Sequence, residues 1–227
     1  MAEGRGRRLL TLALSTCVLA AGVAGFVLEL RPFALSAVSA EERLAVLSEA
    51  TAASGLSYEG RRRVMLACLD FGDSLFMRAQ PSRRRAQLMS GCDEAATRFV
   101  ASMPTFSEAW LVKAKVAAEA ADVTALSRNV EKSRASAPHV QWLAGERMRL
   151  RERVRGLSAD PAFTEALDAG QRGDVMTLMG YNDGSKLLAE QYARDPAFRG
   201  RLTAIAEQAP MTEQQLLLAH IREVMRR

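Results

Sequence analysis

Cys68 and Cys92 are the residues whose type and spacing most directly specify chemistry in this 227-residue chain. Two cysteines form a disulfide when their compartment is oxidising and their Cα atoms come within about 4.4–6.8 Å. The other reactive groups are sparse. His139 follows Pro138 and His220 lies in the last helical pattern, neither with a second metal ligand at useful spacing. No HExxH, CxxC or GxSxG pattern occurs, so zinc hydrolysis and nucleophile-elbow chemistry have no support in the sequence. The segment Gly180-Tyr181-Asn182-Asp183-Gly184-Ser185-Lys186 lacks the Gly-Lys pair of a phosphate loop and the alternating oxygen ligands of a calcium loop. No cofactor is expected. Carboxylates at Asp70/Asp73, Asp93/Glu94 and Glu207 stand among arginines, the pattern of a solvated, salt-bridged face. Hydrolysis of a cell-wall polymer by paired carboxylates is the enzymatic alternative.

Arginine is the remaining candidate for recognition. It outnumbers lysine 27 to 4 and clusters at Arg61-Arg62-Arg63, at Arg83-Arg84-Arg85 and at Arg147, Arg151 and Arg155, which share one helical face. Such clusters suit an acidic protein partner, an anionic polysaccharide or lipid head groups, with ordinary solvated surface as the competing reading. The net charge of +5 is less basic than it looks. Residues 1–31 carry +2, leaving +3 over the other 196, too even a balance for a dedicated nucleic-acid-binding domain.

The elements that must position these groups are helices. Alanine contributes 39 residues and isoleucine two, which disfavours a sandwich or barrel. The seven prolines, at 32, 81, 104, 138, 161, 196 and 210, fit helix boundaries. Ser39/Glu42, Thr105/Glu108 and Thr212/Gln215 have capping-box spacing, and Asp160-Pro161 and Asp195-Pro196 pair an N-cap carboxylate with proline at the first helical position. These signals predict helices near 40–53, 58–79, 82–102, 106–121, 123–136, 139–156, 161–170, 185–194, 196–208 and 212–226. Glycines at 173, 180 and 184 predict an irregular loop or one short helix over 173–184.

Leu9–Leu28 is a charge-free run of 20 residues, about 30 Å as a helix, with Arg5, Arg7 and Arg8 immediately before it. The positive-inside rule then makes residues 1–8 a cytoplasmic tail, 9–28 a transmembrane signal-anchor, 29–40 a linker and 41–227 an exported helical domain, periplasmic in a Gram-negative cell. Nucleic acid is not expected there. Val38-Ser39-Ala40 offers a cleavage site that would start the mature chain at Glu41, although it stands far from the apolar run. Cys17 follows a degraded lipobox, but the apolar run continues beyond it.

In an oxidising compartment, Cys68 and Cys92 should pair. Val64, Cys68, Phe71 and Leu75 form one apolar stripe and Leu88, Cys92, Ala95 and Phe99 another, and the cysteines are equidistant from residue 80, beside the expected turn at Pro81.

Pro104 and Pro138 are 34 residues apart, and Trp110, Ala114, Asp122, Leu126, Val130 and Pro138 fall in a recurrent register between them. This segment resembles a tetratricopeptide repeat. Trp142 opens a shorter second unit, and Asp-Pro-Ala-Phe recurs at 160–163 and 195–198. Ala117 and Ser133 depart from the repeat's tyrosine and alanine. The resemblance implies an all-α, TPR-like stack of antiparallel hairpins, with Ala114, Leu126 and Val130 closing a hairpin and Trp110 and Trp142 filling space between hairpins. It also implies a non-catalytic scaffold that binds a protein partner. The expected setting is a cell-envelope complex of the inner membrane, for secretion or exopolysaccharide export.

Overall fold

The computed structural model describes residues 2–49 and 55–226, with side chains from Leu12 onward. Among the described residues it is all-helical. The twelve elements are α1 (Ala2–Ala34), α2 (Ala40–Ser48), α3 (Tyr58–Gly72), α4 (Leu75–Arg78), α5 (Ser82–Ser102), α6 (Ser107–Glu119), α7 (Val123–Ser136), α8 (Gln141–Val154), α9 (Pro161–Met179), α10 (Asn182–Arg194), α11 (Pro196–Ala206) and α12 (Met211–Met225). The chain forms two compact units, divided between Phe99 and Val100.

Within the first unit, α1 is long and apolar enough over Leu12–Ala34 to span a membrane, and the most apolar 18 consecutive residues there include no buried side chain. It does not end at residue 28. The helix continues into the expected linker as far as Ala34, so Pro32 lies in its last turn rather than beyond it. Without an N–H, Pro32 removes one i→i−4 hydrogen bond, to Leu28 O, from the end of the helix. The expected helix over 58–79 breaks at Gly72, where Asp73 caps α3, and Ser74 Oγ accepts from Met77 N to start α4. That break moves Leu75 off the apolar stripe, leaving it 80% exposed. Val64, Cys68 and Phe71 stay buried, as do Leu88, Cys92, Ala95 and Phe99 on α5. Cys68 and Cys92 are joined in a disulfide with Cα atoms 5.9 Å apart. The helix expected at 40–53 stops at Ser48, with Glu49 extended as its cap, and residues 50–53 of that expectation lie outside the described residues.

The second unit is built on the α6–α7 hairpin, turned at Ala121 with a φ of 54°, and on α8 to α12 packed around α9 and α10. Its core gathers Ala144, Met148, Val175, Leu178, Leu188, Phe198 and Leu202. Local signals placed several boundaries correctly. Ser39, Asp160 and Asp195 each accept a backbone N–H at the start of their helices. Thr105 and Thr212 do not: α6 is capped at Phe106 and α12 at Pro210, without a side-chain bond.

The larger correction is at 173–184. There α9 runs unbroken to Met179, and α10 begins at Asn182. No described glycine has a positive φ, so these glycines supply space rather than a turn conformation. A Cβ on Gly184 would stand 2.2 Å from the carbonyl oxygen of Leu178. Gly184→Ala is therefore expected to lower stability by about 1–3 kcal/mol through overpacking against backbone that cannot step aside. A denaturant midpoint within error of the parent chain would show that the α9–α10 approach is looser than this.

Candidate functional site

Arg147 and Arg151 stand one turn apart on α8, so both project to the same side, toward α9. Opposite them is Asp174, fully buried near the end of α9. Arg147 donates to Asp174 Oδ1 through Nε at 2.9 Å and Nη2 at 2.6 Å, while Arg151 donates to Oδ2 through Nη1. Arg147 Nη2 also reaches Ala137 O at 3.3 Å. Ser133, at the end of α7, takes a hydrogen bond on its carbonyl from Ser107 Oγ at 2.8 Å, and the two hydroxyls lie 3.0 Å apart. Desolvation pushes the Arg151 guanidinium down from its ordinary range, and the adjacent Asp174 carboxylate opposes that shift.

Two of the three arginines expected on a binding face are therefore in the core. Arg147 and Arg151 are 0% and 2% exposed. Arg155 is the outer member and continues the network. Its Nη1 donates to Asp168 Oδ1 at 2.8 Å and its Nη2 to Gln171 Oε1 at 2.6 Å. Gln171 Nε2 in turn donates to Glu152 Oε1 at 2.5 Å, and Arg201 Nη2 to Glu152 Oε2 at 2.6 Å. These groups tie α8, α9 and α11 together.

Two open grooves border the first half of α9 and share Ala169 as a wall. One, of about 480 Å³, is lined by Glu165, Asp168, Gln171, Arg172, Arg201 and Ile205. The other, of about 520 Å³, is lined by Ser127, Arg128, Glu131, Arg134, Leu167 and Gly170. Hydrogen bonds from Arg134 hold the Glu131 carboxyl below the usual carboxylate range and raise the Arg134 guanidinium. Both walls mix signs of charge with apolar carbon, which suits a polypeptide segment better than a uniform polyanion.

The other sequence candidates divide. Arg61 donates to Gly55 O at 3.2 Å, and Arg62 and Arg63 lie 3.8 and 3.2 Å from the Glu59 carboxylate. Arg83, Arg84 and Arg85 are exposed in the first turn of α5, which holds no acidic residue. Cations there oppose the helix dipole, so the cluster costs α5 stability. Arg84 offsets part of this through Glu41, 3.0 Å away in an exposed pair. Ala114, Leu126 and Val130 are buried, but Trp110 and Trp142 are only half-buried. Trp110 Nε1 donates to Pro104 O at 2.7 Å and Lys132 Nζ sits 4.2 Å from its ring centre, so this side chain lies at a rim. His220 meets Asn182 Oδ1 at 3.1 Å. Among the described residues, no group of three or more His, Cys, Asp or Glu side chains is placed to hold a metal ion.

Asp174, Gln171 and Ser107 were not singled out by the sequence. One signal was present. Leu143, Arg147, Arg151 and Val154 follow one 4-4-3 ladder, so the two arginines occupy places where an apolar side chain belongs. The chain matches no protein-family model, no curated protein and no solved structure.

Proposed function

We propose that this chain is a membrane-anchored, non-catalytic scaffold whose second unit binds a protein partner in a cell-envelope complex. In this reading α1 spans the bacterial inner membrane with its N-terminus in the cytoplasm, and the helices after α1 lie in the periplasm. The basic residues Arg5, Arg7 and Arg8 before the span support that orientation, and the Cys68–Cys92 disulfide supports an oxidising compartment. The observation that carries the binding role is the pair of open, mixed-charge grooves on either side of Ala169.

The TPR-like reading of the α6–α7 hairpin is supported by the burial of Ala114, Leu126 and Val130. Ser133, where the repeat has alanine, is buried against Ser107, so the departure serves as a polar tie within the same hairpin. The rim positions of Trp110 and Trp142 are the points at which the hairpin differs from the repeat. An envelope complex for secretion or exopolysaccharide export suits the proposed compartment. The exposed Arg83–Arg85 cluster adds a place for an acidic partner segment or an anionic polysaccharide.

Ala169 gives a clean test because it is exposed and walls both grooves. Ala169→Arg should fill them while leaving the core and the denaturation midpoint unchanged. Full-length protein purified from membranes in mild detergent is expected to bring down a reproducible partner, and the variant to lose most of it. Undiminished recovery with Ala169→Arg would remove the grooves from the binding surface.

A further inference from the structure

We infer that the first unit is seated on the bilayer surface, with Leu56 and Tyr58 in the interfacial layer and Arg31, Arg61, Arg62 and Arg63 among phospholipid head groups. This rests on the reading of α1 as a membrane span. Three levels of contact fix α3 beside the end of α1. At the lowest, a Cβ on Gly25 would lie 3.9 Å from Leu56 Cδ1. One turn further, Glu29 Oε2 accepts from Leu56 N and Ser57 N, each at 2.9 Å, and Oε1 accepts from Ser57 Oγ. Another turn along, the Arg63 guanidinium stands 4.4 Å from the Phe33 ring centre. As α1 advances from residue 25 to 33, its neighbour advances from 56 to 63. The two helices run parallel, and the depth of one sets the depth of the other.

At about 1.5 Å per residue, a hydrocarbon core of roughly 30 Å that begins at Leu9 ends beside Glu29. Gly25 then lies about 6 Å inside that edge, and the tip of the Leu56 side chain reaches toward it while the Leu56 backbone stays beside Glu29. Leu56 and Tyr58 are each 56% exposed, a poor arrangement in water but the ordinary one for an aliphatic and an aromatic side chain at the membrane boundary. Arg31, Arg61, Arg62 and Arg63 fall within the next turn or so, at head-group height, with Glu29 and Glu59 as acidic neighbours among the described residues. The surplus of positive charge matches an anionic lipid surface. Glu29 is tolerated at the boundary because three donors satisfy it.

Spin labels on the full-length chain in vesicles test the placement. In a Cys17→Ser background, with the disulfide intact, single cysteines would be introduced as Gly22→Cys, Leu56→Cys, Tyr58→Cys and Leu75→Cys. Nothing lies within 4 Å of a Cβ at Gly22, so that site reports the anchor itself. Leu75 lies beyond the far end of α3 and is 80% exposed. In vesicles containing phosphatidylglycerol, the labels at 22 and 56 should collide readily with oxygen. Their access to a water-soluble nickel chelate should be several-fold lower than at 75, with Tyr58 intermediate. Replacing the anionic lipid by phosphatidylcholine should raise nickel access at 58. If 56 proves as open to nickel as 75 while 22 remains in lipid, the seating is overturned and the anchor stands. Nickel access at 22 would overturn the anchor and the seating together. No response to lipid charge would remove the arginines from the head-group layer.

Discussion

Asp174→Ala is expected to unfold the second unit or to leave it marginal at room temperature. The substitution removes the carboxylate that both Arg147 and Arg151 face, and leaves two buried guanidinium groups without the partner they pair with. Breaking a buried ion pair by removing one partner costs about 3–5 kcal/mol. That is a large part of the 5–15 kcal/mol that typically holds a domain together. Far-UV circular dichroism against denaturant would show the loss as a lower midpoint or a reduced helical signal. The informative companion is the triple change Arg147→Met, Arg151→Leu and Asp174→Leu, which removes all three charges of this cluster at once. It should recover most of the stability, because burying three ionised groups consumes much of what their attraction returns. The triple variant also frees space at Gly170, where a Cβ would lie 2.4 Å from Arg151 Nη2. An Asp174→Ala protein as stable as the parent would mean that water reaches these arginines and that the site is not the dry core described.

How far the sequence revealed this arrangement depends on the distance over which each feature is determined. Ser39, Asp160 and Asp195 cap the helices that follow them because a cap bond closes within three residues. The all-helical class was legible for the same reason: caps, prolines and apolar spacing all act locally. Gly173 and Gly184 were misread because a glycine's role depends on what lies across from it. Gly173 faces Arg134 and Gly184 faces the backbone of Leu178, and both sit within continuous helix. Arg147 and Arg151 were misread as surface because their partner Asp174 is 27 and 23 residues away and enters only through the packing of α9 on α8. The half-burial of Trp110 is another tertiary outcome. Its indole finds Pro104 and Lys132 at the edge of the hairpin, where the resemblance to the repeat implied a wedge between hairpins.

Breaking the Cys68–Cys92 bridge should be the second costly change, and its redox state also bears on where the protein resides. The expected geometry had two long helices meeting at Pro81 with the cysteines at equal height. The actual α3 stops at Gly72, and the connection to α5 passes through α4. Beside Cys92, Gly91 leaves room for a third element. A Cβ on Gly91 would come within 2.2 Å of Leu47 O, so the end of α2 lies directly on α5 there. The cross-link spans 24 residues of sequence, and in the chain-entropy model closing such a loop stabilises by about 3 kcal/mol. Cys68→Ala with Cys92→Ala should lower the midpoint of the first unit by that amount plus a smaller packing loss, since both side chains are buried. The compartment is read by thiol counting on cells quenched with an alkylating agent at harvest. Protein denatured without reductant should expose one reactive thiol, from Cys17, and three after reduction. Three thiols before reduction would show that the bridge does not form in the cell. The helical units would then belong on the reducing side of the membrane, and a periplasmic scaffold would no longer be tenable. One thiol places them where an exported partner can reach the grooves beside Ala169.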